Sequence, residues 1–398
     1  MPGDDEITWK NARNWGGISY LVSRLLILAG AAIVPAAKTA SLVEVGLDER
    51  PTTGLAARTL QGIVDTLTAW DGRWYFELVR DWYPRSVPPG ITYEQPEARA
   101  AFFPVYPGLV RIADPLLPGS AVTAGIAVNF VLGAAFVLLL GVLARTWAGA
   151  ATAKRTMILA SLYPGSFVLS ITYSEAALLV AAVLCFLAIE RRWWVAAGFA
   201  ALVAGAARPN GLALAAACLV AALLAIRDRR DWKALTAPLL APIGFVFTQW
   251  YIGQQAGEDL VWFRVQQEAW REGTSFGGTA LGHIRRFVFN PFSSPTNVVT
   301  TMSIISVLIG IAALWRARPT VPLPAVAYTA AVVFLMVLPE TVTARPRFVY
   351  TAFPLIIAVA HAWPRRWRHD TWAMMMALSG GTLVSLVVLY GLFAVVIP

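Results

Sequence analysis

Residues 121–144 read AVTAGIAVNFVLGAAFVLLLGVLA, twenty-four consecutive positions without a charged side chain. A helix needs about 20 apolar residues to cross the hydrocarbon core of a bilayer, so this stretch reads as a membrane span. Similar stretches lie on both sides of it, at about residues 18–37, 156–172, 176–189, 193–207, 209–226, 234–252, 297–315, 320–338, 348–363 and 372–396. The whole chain agrees, with 58% apolar and only 14% charged residues, where a soluble domain is nearer half and a quarter. That balance excludes a soluble enzyme, a disordered chain, a nucleic-acid-binding module and a single-span receptor. The expected fold is all-α and integral to the membrane, one domain over residues 1–398 with about eleven spans. Several spans are shorter than twenty residues, so broken or tilted helices are expected among them. The stretch Phe102 to Pro118 is apolar too, but holds Pro104, Pro107, Pro115 and Pro118 with Arg111 and Asp114 between them. It reads as a re-entrant or interfacial helix.

The formal charge is +9, from 32 Lys+Arg against 23 Asp+Glu. With the N-terminus cytoplasmic and Phe102 to Pro118 not crossing, every short cationic loop falls on one side. These loops carry Arg145, Lys154, Arg155, Arg191, Arg192, Arg227, Arg229, Arg230, Arg316, Arg318, Arg365, Arg366 and Arg368. A crossing at Phe102 to Pro118 would turn them all outward. The expected outer face therefore holds two long loops, 38–101 and 253–296. It also holds three turns, Tyr173 to Glu175, Arg208 to Gly211 and Pro339 to Arg347. Arginine dominates over lysine and alanine is abundant, as in a high-GC bacterial gene, which points to a bacterial plasma membrane. The first apolar run starts near Ser19 without a cleavage context, so no cleavable signal peptide is expected. Cys185 and Cys218 lie inside apolar runs and read as small buried hydrophobes.

The outer loops carry the remaining polar groups. Leu60, Ile63, Val64 and Leu67 have the spacing of an amphipathic helix, followed by Trp70-Asp71-Gly72-Arg73-Trp74-Tyr75. Asp71 is then either a helix cap or a functional acid. Glu175 and Arg208 stand at the ends of hydrophobic helices, where a charge is costly unless wet or paired. They are functional candidates, or partners of one another. Arg345 and Arg347 run against the charge rule for an outer turn, and His283, Arg285 and Arg286 could receive a phosphate or simply face solvent. Arg24 is a mid-span cation without an evident role. No metal-ligand spacing, glycine-rich phosphate loop or G-x-S-x-G elbow occurs, so neither metal nor cofactor is expected. An enzyme of this kind would take an activated substrate from the lipid.

Several motifs follow one another from about residue 18 to 360: Trp70-Asp71-Gly72, Ala101-Phe102-Phe103-Pro104-Val105-Tyr106-Pro107, Tyr173-Ser174-Glu175, Arg208-Pro209-Asn210-Gly211, Val265-Gln266-Gln267 with Trp270, and Arg347-Phe348 before Phe353-Pro354. In this order they resemble the PIG-V-type family of membrane mannosyltransferases, which in eukaryotes adds the second mannose of the GPI anchor and has actinobacterial members. The Trp-Asp pair and the Phe-Phe-Pro-x-Tyr-Pro string are the specific part. The resemblance implies a C-type glycosyltransferase (GT-C) architecture with a long first extracytoplasmic loop, a polyprenyl-phosphate-mannose donor, inversion at the anomeric carbon, and Asp71 as general base. Bacteria lack GPI, so the acceptor would be another extracytoplasmic glycolipid, glycan or protein.

The residue chemistry is compatible. A phosphate leaves without help from an acid, so transfer needs one base and cations rather than the two carboxylates of a glycosidase. Asp71 is the leading base, with Asp65 and Asp81 behind it. Arg208, Arg345 and Arg347 are candidates for the donor phosphate, with Glu175 orienting or pairing one of them. Trp70, Tyr106, Gln267 and Trp270 are expected around the sugar or acceptor. The competing class is a flippase for a lipid-linked sugar, which would place ionisable groups at midplane and show two related halves; Arg24 is the one mid-span cation, the polar residues otherwise lie at one rim, and the two parts of the chain do not look alike.

Overall fold

The computed structural model describes residues 7–44, 54–291, 294–341, 344–363 and 369–392. Asp4 to Glu6, the basic cluster Arg365, Arg366 and Arg368, and the end of the 372–396 stretch lie outside the described residues. Among those described the chain is all-helical, and its sole β feature is an isolated bridge between Thr274 and Pro339. In chain order the helices are α1 Trp9–Glu44, α2 Leu55–Leu67, α3 Gly72–Asp81, α4 Val105–Ala113, α5 Ala121–Leu162, α6 Glu175–Glu190, α7 Trp194–Ala207, α8 Ala213–Arg229, α9 Thr236–Leu240, α10 Ile243–Ala256, α11 Val261–Ala269, α12 Gly278–Phe289, α13 Pro295–Ala317, α14 Leu323–Val337, α15 Pro346–Thr351, α16 Pro354–Ala362 and α17 His369–Gly391.

Among the described residues six helical stretches are long and apolar enough to cross a membrane: Trp9–Ala40, Ala121–Leu162, Pro209–Arg229, Trp232–Ala256, Pro295–Ala317 and Asp370–Gly391. The chain is thus an integral membrane protein. The expected spans at 121–144 and 156–172 are joined as α5, which is not one straight rod. Gly149 breaks it at φ 84° and ψ 175°, a conformation that favours glycine. A Cβ added at Gly141 would meet the Sδ of Met157, so the two limbs lie against each other as a hairpin. Between Trp232 and Ala256 helix is interrupted around Pro242, and between Arg345 and Ala362 around Phe353 and Pro354, where a proline removes a backbone donor. These are the broken helices anticipated for short apolar runs.

Two loop boundaries differ from the sequence reading. Helix α1 continues beyond the 18–37 stretch to Glu44, and α10 continues to Ala256, so both long loops start later than expected. The first loop carries α2 and α3, and the second carries α11 and α12. The proline-rich stretch forms only the nine-residue α4 and a 3₁₀ turn; nine residues rise about 14 Å, too little to cross a bilayer. The core joins α1, both limbs of α5, α6, α8, α16 and α17, with small residues such as Ala144, Ala160, Ala182 and Ala217 fully buried. Close packing of this kind is the usual source of cohesion between helices in lipid. Arg24 finds its role here: its guanidinium donates to the hydroxyl of Ser170 at 2.7 Å and the carbonyl of Ser166 at 3.2 Å, tying α1 to the turn after α5.

Candidate active site

Asp71 stands at the head of α3, and the local backbone explains its place. Thr172 donates its N–H to Leu67 O at 2.9 Å, and Asp71 donates its N–H to the Tyr173 hydroxyl at 2.9 Å. The α2–α3 turn is thereby fastened to the segment before α6. Gly72 permits the approach, since a Cβ there would lie 2.6 Å from Thr172 Oγ1. Trp70 adopts φ 57°, a left-handed conformation uncommon for a bulky residue and frequent where a site constrains the chain. Its indole donates to Tyr390 O at 3.2 Å.

The Asp71 carboxylate occupies the cap position but makes no capping hydrogen bond, which removes the cap-only reading. Its Oδ2 lies 3.7 Å from Nη1 of Arg347, and the same Nη1 lies 3.3 Å from Glu175 Oε1. Glu175 Oε2 is 3.0 Å from Nη1 of Arg208, which also donates to Ser174 Oγ at 3.3 Å. Glu175 is fully buried at the first position of α6, where the helix dipole also favours an anion. Arg345 is 3% exposed, and its closest polar contact is a long one of 3.4 Å from Nη1 to Thr300 Oγ1; its Nε has no hydrogen-bond partner. Two carboxylates and two guanidiniums thus share one buried cluster, while Arg345, two residues before Arg347, turns to Thr300 and is paired with neither acid.

The electrostatics follow from that count. Burial pushes the Asp71 carboxyl up from 3.8 to about 6; Arg347 and Arg208 pull it down, and Glu175 pushes it up. Burial and the adjacent Arg347 lower the Arg345 guanidinium to about 10, so it remains a cation at neutral pH. Among the described residues Arg345 has no carboxylate within ion-pair distance, and because a buried cation without an anion is costly, its guanidinium is suited to receive one.

Asp71, Glu175, Arg208 and Arg347 meet at one end of the bundle, although they come from the first long loop, the head of α6, the end of α7 and the head of α15.

The other sequence candidates divide. Trp270 is half-buried near the site, with its ring centroid 5.3 Å from Tyr93 and 5.6 Å from Phe102. Tyr106 is fully buried and its hydroxyl donates to Gly125 O at 3.1 Å. Gln267 is exposed on α11, on the side that the helix does not bury. Asp65 is exposed and bonded to Gln61, and Asp81 is exposed and paired with Arg80; neither belongs to the cluster. His283 is bonded to Asn297 on the neighbouring α13. Three participants were not singled out from sequence: Tyr390, whose hydroxyl donates to Tyr173 Oη at 3.1 Å; Tyr75, whose hydroxyl shares a 2.7 Å hydrogen bond with Ser174; and Thr300. Tyr390 lies in a featureless apolar run, and no spacing marks it.

No protein-family model matches the chain, and no curated protein does. Among solved structures, it is similar to ArnT from Cupriavidus metallidurans bound to undecaprenyl phosphate, at 17% identity and a TM-score of 0.47, over 82% of this chain and 64% of that one. Apo ArnT gives 19%, 0.46, 80% and 62%. The apo Archaeoglobus fulgidus oligosaccharyltransferase gives 13%, 0.45, 93% and 56%. The chain spans less than two thirds of the length of each.

Proposed function

We propose that this protein is a GT-C membrane glycosyltransferase that moves a sugar, mannose by the motif resemblance, from a polyprenyl-phosphate donor to a hydroxyl of an extracytoplasmic glycolipid, glycan or protein. The observation that carries this reading is a buried carboxylate of raised pKa, Asp71, held in one cluster with Glu175, Arg208 and Arg347. Asp71 accepts the proton of the acceptor hydroxyl as its oxygen attacks the anomeric carbon. The bond from that carbon to the phosphate oxygen breaks, and the lipid phosphate leaves with one more negative charge. Attack opposite the leaving group inverts the anomeric centre. Arg345 meets the growing charge, with Arg347 and Arg208 nearby, and donors of this kind act best when preorganised away from water. Glu175 holds Arg208 and Arg347 in place. A carboxyl near 6 is mostly ionised at neutral pH and basic enough to take a proton, the compromise expected of a general base.

The test is incubation of purified protein with radiolabelled polyprenyl-phosphate sugars and membrane lipid extract. Transfer of label to an acceptor, lost in Asp71→Asn, is the expected result. Absence of transfer of any sugar, together with movement of the donor across liposomes, would replace this reading with that of a flippase.

A further inference from the structure

The two long loops are not independent. Arg264 on α11 donates to the carbonyls of Val87 at 3.0 Å and Pro88 at 3.1 Å, and Glu268 accepts the N–H of Ile91 at 3.0 Å. Arg264 is itself held by Glu258 and Glu268. These contacts join the second loop to the first and bring two aromatic side chains together at the seam, Tyr93 and Trp270, with ring centroids 5.3 Å apart and planes at 81°. Tyr93 also meets Trp74, 5.6 Å away at 84°, and Trp74 stands one turn after Asp71 on the same side of α3. Tyr93 is near enough to Asp71 that the carboxylate, after burial, is the next largest influence raising its phenol. Trp74 is fully buried, but Tyr93 and Trp270 are only partly so, and neither is stacked face to face with another ring.

An aromatic surface kept partly open beside a general base has a natural occupant. One face of a pyranose presents a row of C–H bonds, which pack on an aromatic ring, while its hydroxyls point outward to polar groups. We propose that Tyr93 and Trp270 form a platform for a pyranose ring at the seam of the two loops, placing a sugar beside Asp71. The proposal rests on the glycosyl-transfer reading and deepens it by naming what the loop junction binds. Two sources could supply the ring, the sugar of the donor or a terminal sugar of the acceptor. Tyr93 is a binding residue in either case.

Saturation-transfer NMR tests this on the full-length protein in lipid nanodiscs, without glycoside detergent, using methyl mannopyranoside, glucopyranoside and galactopyranoside as probes. Transfer to the C–H protons of at least one pyranoside is expected in wild type and in Tyr93→Phe, with affinity at least about tenfold weaker in Tyr93→Ala. Tyr93→Leu fills the packing without an aromatic face and should behave as Tyr93→Ala, which separates ring recognition from loop stability. Loss of the signal on adding polyprenyl-phosphate-mannose assigns the platform to the donor sugar, and its survival assigns it to the acceptor. Equal binding by wild type and Tyr93→Leu, or binding of serine- and threonine-containing peptides but of no pyranoside, overturns the proposal. Binding does not require turnover, so an absent glycosyl transfer and an absent platform are separate results.

Discussion

Replacing Asp71 by Asn should abolish transfer and stabilise the protein, with a pH dependence fixed by the site. The carboxyl moves from 3.8 to about 6 on folding, so the ionised form is disfavoured in the native state by about 3 kcal/mol, from about 1.4 kcal/mol per unit. The sign follows from linkage. The unfolded chain releases its proton near 3.8 and the folded chain near 6, so the favourable contribution of the neutral group is complete below the lower value and is lost as the pH rises through the higher one. Asn is neutral throughout and close in size. The variant should therefore gain about 3 kcal/mol at pH 7.5, about half of that at pH 5, and nothing near pH 3.5. Thermal melting of purified wild type and variant in one detergent across these pH values measures the difference, which amounts to several degrees at pH 7.5. Transfer is measured in the same preparations. A variant that melts below wild type at every pH would show that the Arg347 contact outweighs desolvation, and one that retains transfer would exclude Asp71 as base.

The same carboxyl sets the acid limb of the wild-type rate profile: transfer should fall about tenfold per pH unit below about 6, and a limb near 4 would point to a solvated acid. Glu175→Gln leaves Arg208 and Arg347 without their buried partner and should cost about 3–5 kcal/mol, seen as a lower melting temperature; an unchanged melt would mean that water or lipid replaces the pair. Arg345→Gln should raise the KM for a polyprenyl-phosphate sugar by roughly 10- to 100-fold, the range of a hydrogen bond to a charged group, with partial recovery in Arg345→Lys; an unaltered donor KM would place the phosphate elsewhere. Gly72→Ala puts a methyl group against Thr172 and should reduce transfer without loss of membrane insertion, whereas full activity would show that the turn has room to shift.

The membrane fold was legible because apolar length is a direct physical requirement of the bilayer, and helix is present at each of the eleven stretches. What composition does not encode is how each helix is interrupted: Gly149 folds α5 back on itself by a single backbone dihedral, and Pro354 divides the 348–363 stretch. At the site, Glu175 and Arg208 are marked by standing at the ends of apolar helices, where charges demand partners, Arg345 and Arg347 by running against the charge rule for an outer turn, and Asp71 by the motif resemblance. The burial of Tyr106 against Gly125 is not readable from sequence, because an aromatic in a proline-rich string looks the same whether it packs the protein or a sugar. The exposure of Gln267 is not readable from sequence, because the face of α11 that is buried depends on the Arg264 clasp to a loop about 180 residues earlier. Tyr93 and Tyr390 went unnoticed because their significance lies in neighbours distant in sequence, and a single aromatic residue carries no periodicity.

The ion pair between Arg347 and Glu175 spans 172 residues of chain. At about 5–20 residues per second of synthesis, roughly 9–35 s separate the two partners. During that interval a carboxylate destined for a fully buried place has Arg208 alone as its counter-charge, and the loop bearing Asp71 has nothing from α15 to dock against. The Asp71 end of the bundle is therefore completed only after the ribosome has passed residue 347, and Tyr390 joins it later still. A chain that ends before that point lacks the guanidinium that bridges Asp71 and Glu175, and with it the link between the first long loop and the head of α6 that this side chain supplies.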